Sequence, residues 1–181
     1  MSQTSEILLS GSGGQGLILA GQILAEAVVR DGKNTVQTQS YGPEARGGAS
    51  KAEVIISNEE IDYPKVTKPD ILLVMSQEAL NRYASELNPG GTLIIDSTYI
   101  QDPLPTENKV VSAPYSRIAK ESLGKEMVAN VVALGALVAL TGVVTLESLK
   151  SALMSRIPPG TEALNNKALE LGWKSVSQAA A

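Results

Sequence analysis

Residues Gly11-Ser12-Gly13-Gly14-Gln15-Gly16 follow the apolar Ile7-Leu8-Leu9 directly and precede Leu17 to Val29, an apolar stretch with a helical pattern. Strand, glycines and helix in this order place backbone N–H groups and the positive end of a helix dipole in front of a ligand. Glycine suits such a turn because it takes positive φ without steric cost and lets a ligand or a second backbone come close. A second glycine-bearing segment, Tyr41-Gly42-Pro43-Glu44-Ala45-Arg46-Gly47-Gly48, lies one strand further on. Arg46 offers a planar fork to a carboxylate or phosphate, and Glu44 can hold that fork or pair across an interface. Gly42-Pro43 and Gly47-Gly48 bracket the charged pair, as in a shaped loop with a docking task. The plainer alternative is an exposed Glu–Arg pair worth less than about 1 kcal/mol.

The spacing Gly11-x-Gly13-x-x-Gly16 matches the dinucleotide fingerprint, which calls for an acidic residue about 20 positions later to hold the ribose hydroxyls. The second strand instead ends Thr38-Gln39-Ser40, without a carboxylate. Three readings of the first turn follow. It binds a dinucleotide without that partner, or it serves tight strand–helix packing with no ligand. Otherwise it meets a phosphate, a partner loop or part of a cofactor held by another subunit. No Walker A pattern is present, so NTP hydrolysis has no support.

The absences narrow the chemistry further. With no Cys and no His, the chain has no thiolate nucleophile, no disulfide, no iron–sulfur ligands and no imidazole base. No catalytic residue and no metal ligand is assigned. Aromatic residues are 3%, without Phe, which argues against base-stacking platforms. A net charge of −4 without a basic run argues against a nucleic-acid surface. The polar N-terminus carries no export signal, and the chain is read as cytoplasmic.

At 181 residues, 43% hydrophobic and 19% charged, the chain is expected to form one domain. Its core should run from about 6 to 172, followed by a frayed tail over 173–181. Strands are expected over 7–10, 35–39, 50–57, 71–75, 92–96 and 109–113. Helices are expected over 15–30, 77–87, 115–123, 126–140, 146–156 and 165–171. Ser76 and Thr145 read as N-caps, and Gly32 as the residue that ends the first long helix. Lys51 and Glu53 alternate with Ala52 and Val54, which predicts a strand near an edge or with one wet face. The pattern is α/β: a three-layer sandwich with a mainly parallel, partly mixed sheet, Rossmann-like in its first strand–turn–helix.

The run Val131 to Leu140 is apolar on every side and too short to span a membrane. Either another subunit covers its outer face or the domain buries it entirely, and Asn130 at its edge then needs a hydrogen-bond partner. Asp96 and Ser97 end a strand where open α/β sheets hold ligands, although capping explains them equally well.

Gly11-x-Gly13-Gly14-Gln15-Gly16, then Gln39 to Ser50 with its Tyr41-Gly42-Pro43-Glu44-Ala45-Arg46-Gly47-Gly48, and then Val128 to Leu137 resemble the gamma subunit of 2-oxoacid:ferredoxin oxidoreductases. The wording of the 41–48 segment is closer to the 2-oxoglutarate branch than to the pyruvate branch. The resemblance implies a multisubunit enzyme that decarboxylates a 2-oxo acid oxidatively to acyl-CoA and CO2 and reduces ferredoxin. Thiamine diphosphate, magnesium and iron–sulfur clusters would then lie in alpha, beta and ferredoxin-like partner subunits, with coenzyme A as cosubstrate. The isolated chain would be inactive and free to form a homo-oligomer. Gly11, Gly13, Gly14, Gln15, Gly16, Tyr41, Glu44, Arg46, Gly47 and Gly48 would form the ligand or subunit-contact loops. A different class stays open: a stand-alone nucleotide-binding protein of Rossmann type.

Overall fold

The computed structural model describes residues 4–40, 48–102 and 106–179, with side chains as far as residue 176. Strands β1 (Ser5–Ser12), β2 (Asn34–Ser40), β3 (Ala49–Ser57), β4 (Ile71–Val74), β5 (Thr92–Asp96) and β6 (Lys109–Ala113) form one sheet in the order β2-β3-β1-β4-β5-β6. β1, β4, β5 and β6 run parallel, while β3 is antiparallel to both β1 and β2. The helices are α1 (Leu17–Arg30), α2 (Gln77–Tyr83), α3 (Tyr115–Leu123), α4 (Ala129–Thr141), α5 (Leu146–Arg156) and α6 (Glu162–Ala179). The α/β sandwich with a mixed sheet is therefore as expected from the element pattern.

Side chains alternate across the strands, so each face of the sheet gathers its own core. Ile7, Leu9, Val54, Leu73 and Ile94 pack with α1, α3, α4, α5 and α6. Leu8, Leu72, Val74, Leu93 and Ile95 pack with Ala79, Leu80 and Tyr83 of α2. The layers are unequal: most of the helical mass sits on one face.

β3 lies second from the edge, beside the edge strand β2, so of the two readings of the Lys51–Glu53 alternation the place near an edge holds and the wet face does not. Glu53 is 9% exposed because it has partners: it accepts from Thr38 Oγ1 at 2.7 Å and from Lys51 Nζ at 3.0 Å. The Lys51 ammonium lies 5.8 Å from the centre of the Tyr83 ring. Alternation of charge thus marked a paired, covered face and not a wet one. β1 also runs longer than expected, so Gly11 and Ser12 belong to the strand and the turn proper begins at Gly13.

Every residue of α4 from Ala129 to Val138 is buried, because α1, α3 and α6 surround the helix. Burial inside the fold, with no second subunit, accounts for its apolar circumference. α6 begins three residues before the expected 165–171 segment and continues to Ala179, with Trp173 and Val176 against the core.

Local signals hold at the helix ends. Ser76 and Thr145 side chains accept from Ala79 N and Ser148 N, each at 3.2 Å. Gly32 N donates to Val29 O and Lys33 N to Val28 O, which closes α1 in a Schellman motif. Thr145 also donates through N and Oγ1 to the two Asp31 oxygens at 2.7 Å, tying the end of α1 to the start of α5.

Further along the same pair of helices, Glu26 accepts from Ser155 Oγ at 2.6 Å, Arg30 Nη2 at 2.7 Å and Arg156 Nε at 2.6 Å. The Ser155 hydrogen bond leads, with Arg30 and Arg156 adding to it, and together they pull the carboxyl from 4.5 to about 2. A carboxylate lowered in the folded state contributes stability above its unfolded pKa and loses it as pH falls through the folded value. Wild type should therefore lose about 1–2 kcal/mol relative to Glu26→Gln between roughly pH 5 and pH 2, a figure discounted for solvent screening. Thermal melts of both proteins across that window check this; parallel pH curves would contradict the clamp.

Candidate functional site at the C-terminal edge of the sheet

The parallel strands deliver their C-terminal ends to one edge, where open α/β sheets bind ligands. At this edge Gln15 organises the glycine turn. Its backbone N donates to Ser12 O at 3.2 Å, its Oε1 accepts from Ser12 N at 2.7 Å, and its Nε2 donates to Met75 O at 2.9 Å. The side chain thus fastens the end of β1 to the residue after β4. Ser12, Gly13 and Gly14 stand exposed, and no atom lies within 4 Å of where a Cβ on Gly14 would be. Gly16 caps α1 at φ 76° without any side-chain hydrogen bond, and a Cβ there would meet Asn130 Nδ2 at 2.5 Å.

Asn130 finds the partner that its burial demands. Its Nδ2 donates to Gly16 O at 3.0 Å, and its Oδ1 accepts from Val131 N at 2.9 Å. Between the turn and the 3-10 segment Glu126–Val128 opens a cleft of about 240 Å3, lined by Gly14, Gln15, Met75, Ser116, Glu126 and Met127. Met127 is 76% exposed at its mouth. A neighbouring cleft of about 310 Å3 shares Ser116 and Glu126 and adds Tyr99, Arg117 and Lys120. The Tyr99 hydroxyl donates to Glu126 between the two, and this bond to a carboxylate pushes the phenol pKa up. A smaller cleft of about 160 Å3 at the opposite edge holds Lys33, whose Nζ donates to Val143 O at 2.9 Å.

Of the second glycine segment, Tyr41, Glu44, Arg46 and Gly47 lie outside the described residues, while Gly48 is described and buried. Strand register locates the described residues on either side of it. Ser40 pairs with Lys51, while Ser50 and Ala49 pair with Gly11 and Ser12, so the described residues flanking the segment lie at the same end of the sheet as the first turn, Ala49 on the neighbouring strand and Ser40 one strand further. Ser10 Oγ donates to Ser50 O at 2.7 Å and Ser50 Oγ to Gly11 O at 3.2 Å, which ties the end of β1 to the start of β3.

Asp96 resolves as a cap. It is fully buried and accepts from Ser116 N, Ser116 Oγ and Thr98 N, and so serves the first turn of α3. Sequence reasoning had no means to see Gln15 as a two-ended fastener, since Met75 is 60 residues away. Among the described residues no three or more His, Cys, Asp or Glu come together as a metal site, and no helix is long and apolar enough to cross a membrane.

A family model described as pyruvate ferredoxin/flavodoxin oxidoreductase matches residues 6–175. The chain belongs to this family. Within it, the chain is 51% identical over 180 residues to the 2-oxoglutarate synthase subunit KorC of Methanothermobacter marburgensis, covering 96% of this chain and 97% of that one. It is 49% identical over 172 residues to the subunit of the same name in Methanocaldococcus jannaschii, covering 93% and 92%. The crystal structure of a keto/oxoacid ferredoxin oxidoreductase gamma subunit from Geobacter sulfurreducens superposes with a TM-score of 0.88 at 47% identity, covering 96% of this chain and 99% of that one.

Family membership favours the oxidoreductase reading over a stand-alone Rossmann protein, and the topology agrees. In a Rossmann unit the second strand lies beside the first, which brings its acidic end to the ribose. Here β3 separates β2 from β1, so the end of β2 stands two strand spacings, roughly 9–10 Å, from the glycine turn.

Proposed function

We propose that this chain is the gamma subunit of a 2-oxoglutarate-type 2-oxoacid:ferredoxin oxidoreductase, and that the edge carrying both glycine segments is the face it turns to the catalytic subunits near the acyl-transfer step. The register of β1, β3 and β2, which brings Gly11 and Ser12 to the same end of the sheet as Ser40 and Ala49, the residues flanking the second segment, is the observation that supports this placement. The complex oxidatively decarboxylates 2-oxoglutarate, passes the acyl group to coenzyme A and reduces ferredoxin. Thiamine diphosphate supplies the carbanion chemistry there.

This chain's donor set does not fit iron–sulfur clusters, because it has no Cys, and it assembles no metal site among its described residues. Those groups, with the thiamine and its magnesium, belong to alpha, beta and ferredoxin-like partners in the cytoplasm. The gamma chain contributes shape and backbone N–H groups, and it is inactive alone. The exposed Ser12, Gly13 and Gly14 with the open start of α1 suit an anionic group such as the phosphates of coenzyme A.

Anaerobic affinity purification of the tagged chain should bring down thiamine-dependent and iron–sulfur subunits with 2-oxoglutarate- and coenzyme A-dependent dye reduction. Purification of the chain alone with a bound dinucleotide would overturn the reading. Within the complex, Arg46→Ala should raise KM for coenzyme A about tenfold or more while assembly persists, as loss of a charged phosphate contact requires. Loss of assembly would instead assign Arg46 to a partner loop, and unchanged kinetics and assembly would remove it from the site.

A further inference from the structure

We infer that Asn130 is a positioning residue for the glycine turn: it sets the spacing between the two walls of the adjoining cleft and the direction of the Leu17 amide. The inference rests on the proposed function, since it specifies how that edge is kept ready for its ligand.

Gly14 and Gln15 form one wall of the cleft, and Glu126, Met127 and Ala129 the other. Asn130 follows Ala129 immediately and reaches across to Gly16 O, so a single side chain joins the walls from beneath. It is 4% exposed; its oxygen accepts from Val131 N on its own helix, and its amide NH2 donates to the turn. The fit is tight on the other side as well, because the Gly16 Cα faces Asn130 with no room for a methyl group.

The Gly16 carbonyl also accepts from Ala20 N at 3.1 Å, so α1 and α4 hold the same oxygen. A trans peptide points its C=O and N–H in opposite directions. Holding the carbonyl of Gly16 back along α1 therefore aims the N–H of Leu17 out of the helix start. Asn130 can impose that direction because α4 is itself immobilised: the residues after it are buried through Val138, and Gly135 abuts the Leu169 backbone. A turn held in this way loses little freedom when a ligand or partner arrives, which is the advantage of preorganisation.

The test uses the reconstituted complex with wild-type chain, Asn130→Ala and Asn130→Asp. The aspartate keeps the shape and the acceptor for Val131 N, but sets an oxygen against the Gly16 carbonyl where a donor stood. Both variants should assemble, keep kcat at saturating coenzyme A within about twofold, and raise KM for coenzyme A about tenfold or more, with the calorimetric Kd following. In the isolated full-length chain the amide resonances of Gly14, Gly16 and Leu17 should shift or broaden in both variants. Unchanged KM, reduced assembly with unchanged KM in what assembles, or unchanged amide resonances would each overturn the inference. A wild-type complex that turns over without coenzyme A would defeat the proposed function instead, and the amide resonances would then decide the hold of Asn130 alone.

Discussion

Replacing Gly172 by alanine is expected to unfold the packing of α6 on α4 and to lower the melting temperature of the chain by about 6–12 °C, if overpacking costs about 3 kcal/mol. A Cβ at this position would stand 1.8 Å from Val132 O and 2.7 Å from Val132 C. Both obstacles are backbone atoms in the middle of a buried helix, so no side-chain rotation relieves them. One turn away the same crossing is equally close from the other helix, where a Cβ on Gly135 would stand 2.4 Å from Leu169 O. The helices cannot separate without uncovering Val132, Ala136 and Leu169, each fully buried. Thermal unfolding followed by circular dichroism reads the effect. A shift of less than about 2 °C, under 1 kcal/mol for a chain of this size, would show that the two backbones do not approach as described.

The second large effect is expected at Asp96. Its Oδ2 accepts from Ser116 N at 3.1 Å and Ser116 Oγ at 2.5 Å, and its Oδ1 from Thr98 N at 3.0 Å. Hydrogen bonds to an ionised acceptor are stronger than neutral ones, and a buried donor left without its acceptor costs its full desolvation. Asp96→Ala removes the acceptor for both buried Ser116 donors and for Thr98 N, and should destabilise the chain by about 2–4 kcal/mol. Asp96→Asn keeps one carbonyl oxygen in the same volume and should lose less than half as much. Denaturant titrations of the three proteins at neutral pH rank them. Equal stability of Asp96→Ala and wild type would return Asp96 to the list of ligand-binding candidates, since a residue that stabilises nothing is free to be kept for function.

Much of the architecture was legible in short windows of sequence. The run Ile71 to Val74 is a buried parallel strand because four consecutive apolar residues can only satisfy both faces of a covered sheet. Ser76 and Thr145 cap helices because their side-chain oxygens reach an amide three residues ahead. The glycine turn and the 41–48 segment carried the family resemblance that the match over residues 6–175 bears out. Lys51 and Glu53 misled because alternation reports which residues share a face. It does not report whether that face is covered, and Tyr83 with Thr38 closes over this one.

By itself, then, the sequence determined the element types, most helix ends, the family and the absence of thiol and imidazole chemistry. Each of these depends on residue identity or on neighbours within a few positions. Only the tertiary structure decided that β3 enters between β2 and β1, that α6 and not another subunit covers α4, that Asp96 caps α3, and that Asn130 reaches Gly16 from 114 residues away. Hydrophobic burial has no direction and names no partner. Which apolar face meets which, and which buried polar atom answers another, is settled when the whole chain packs at once.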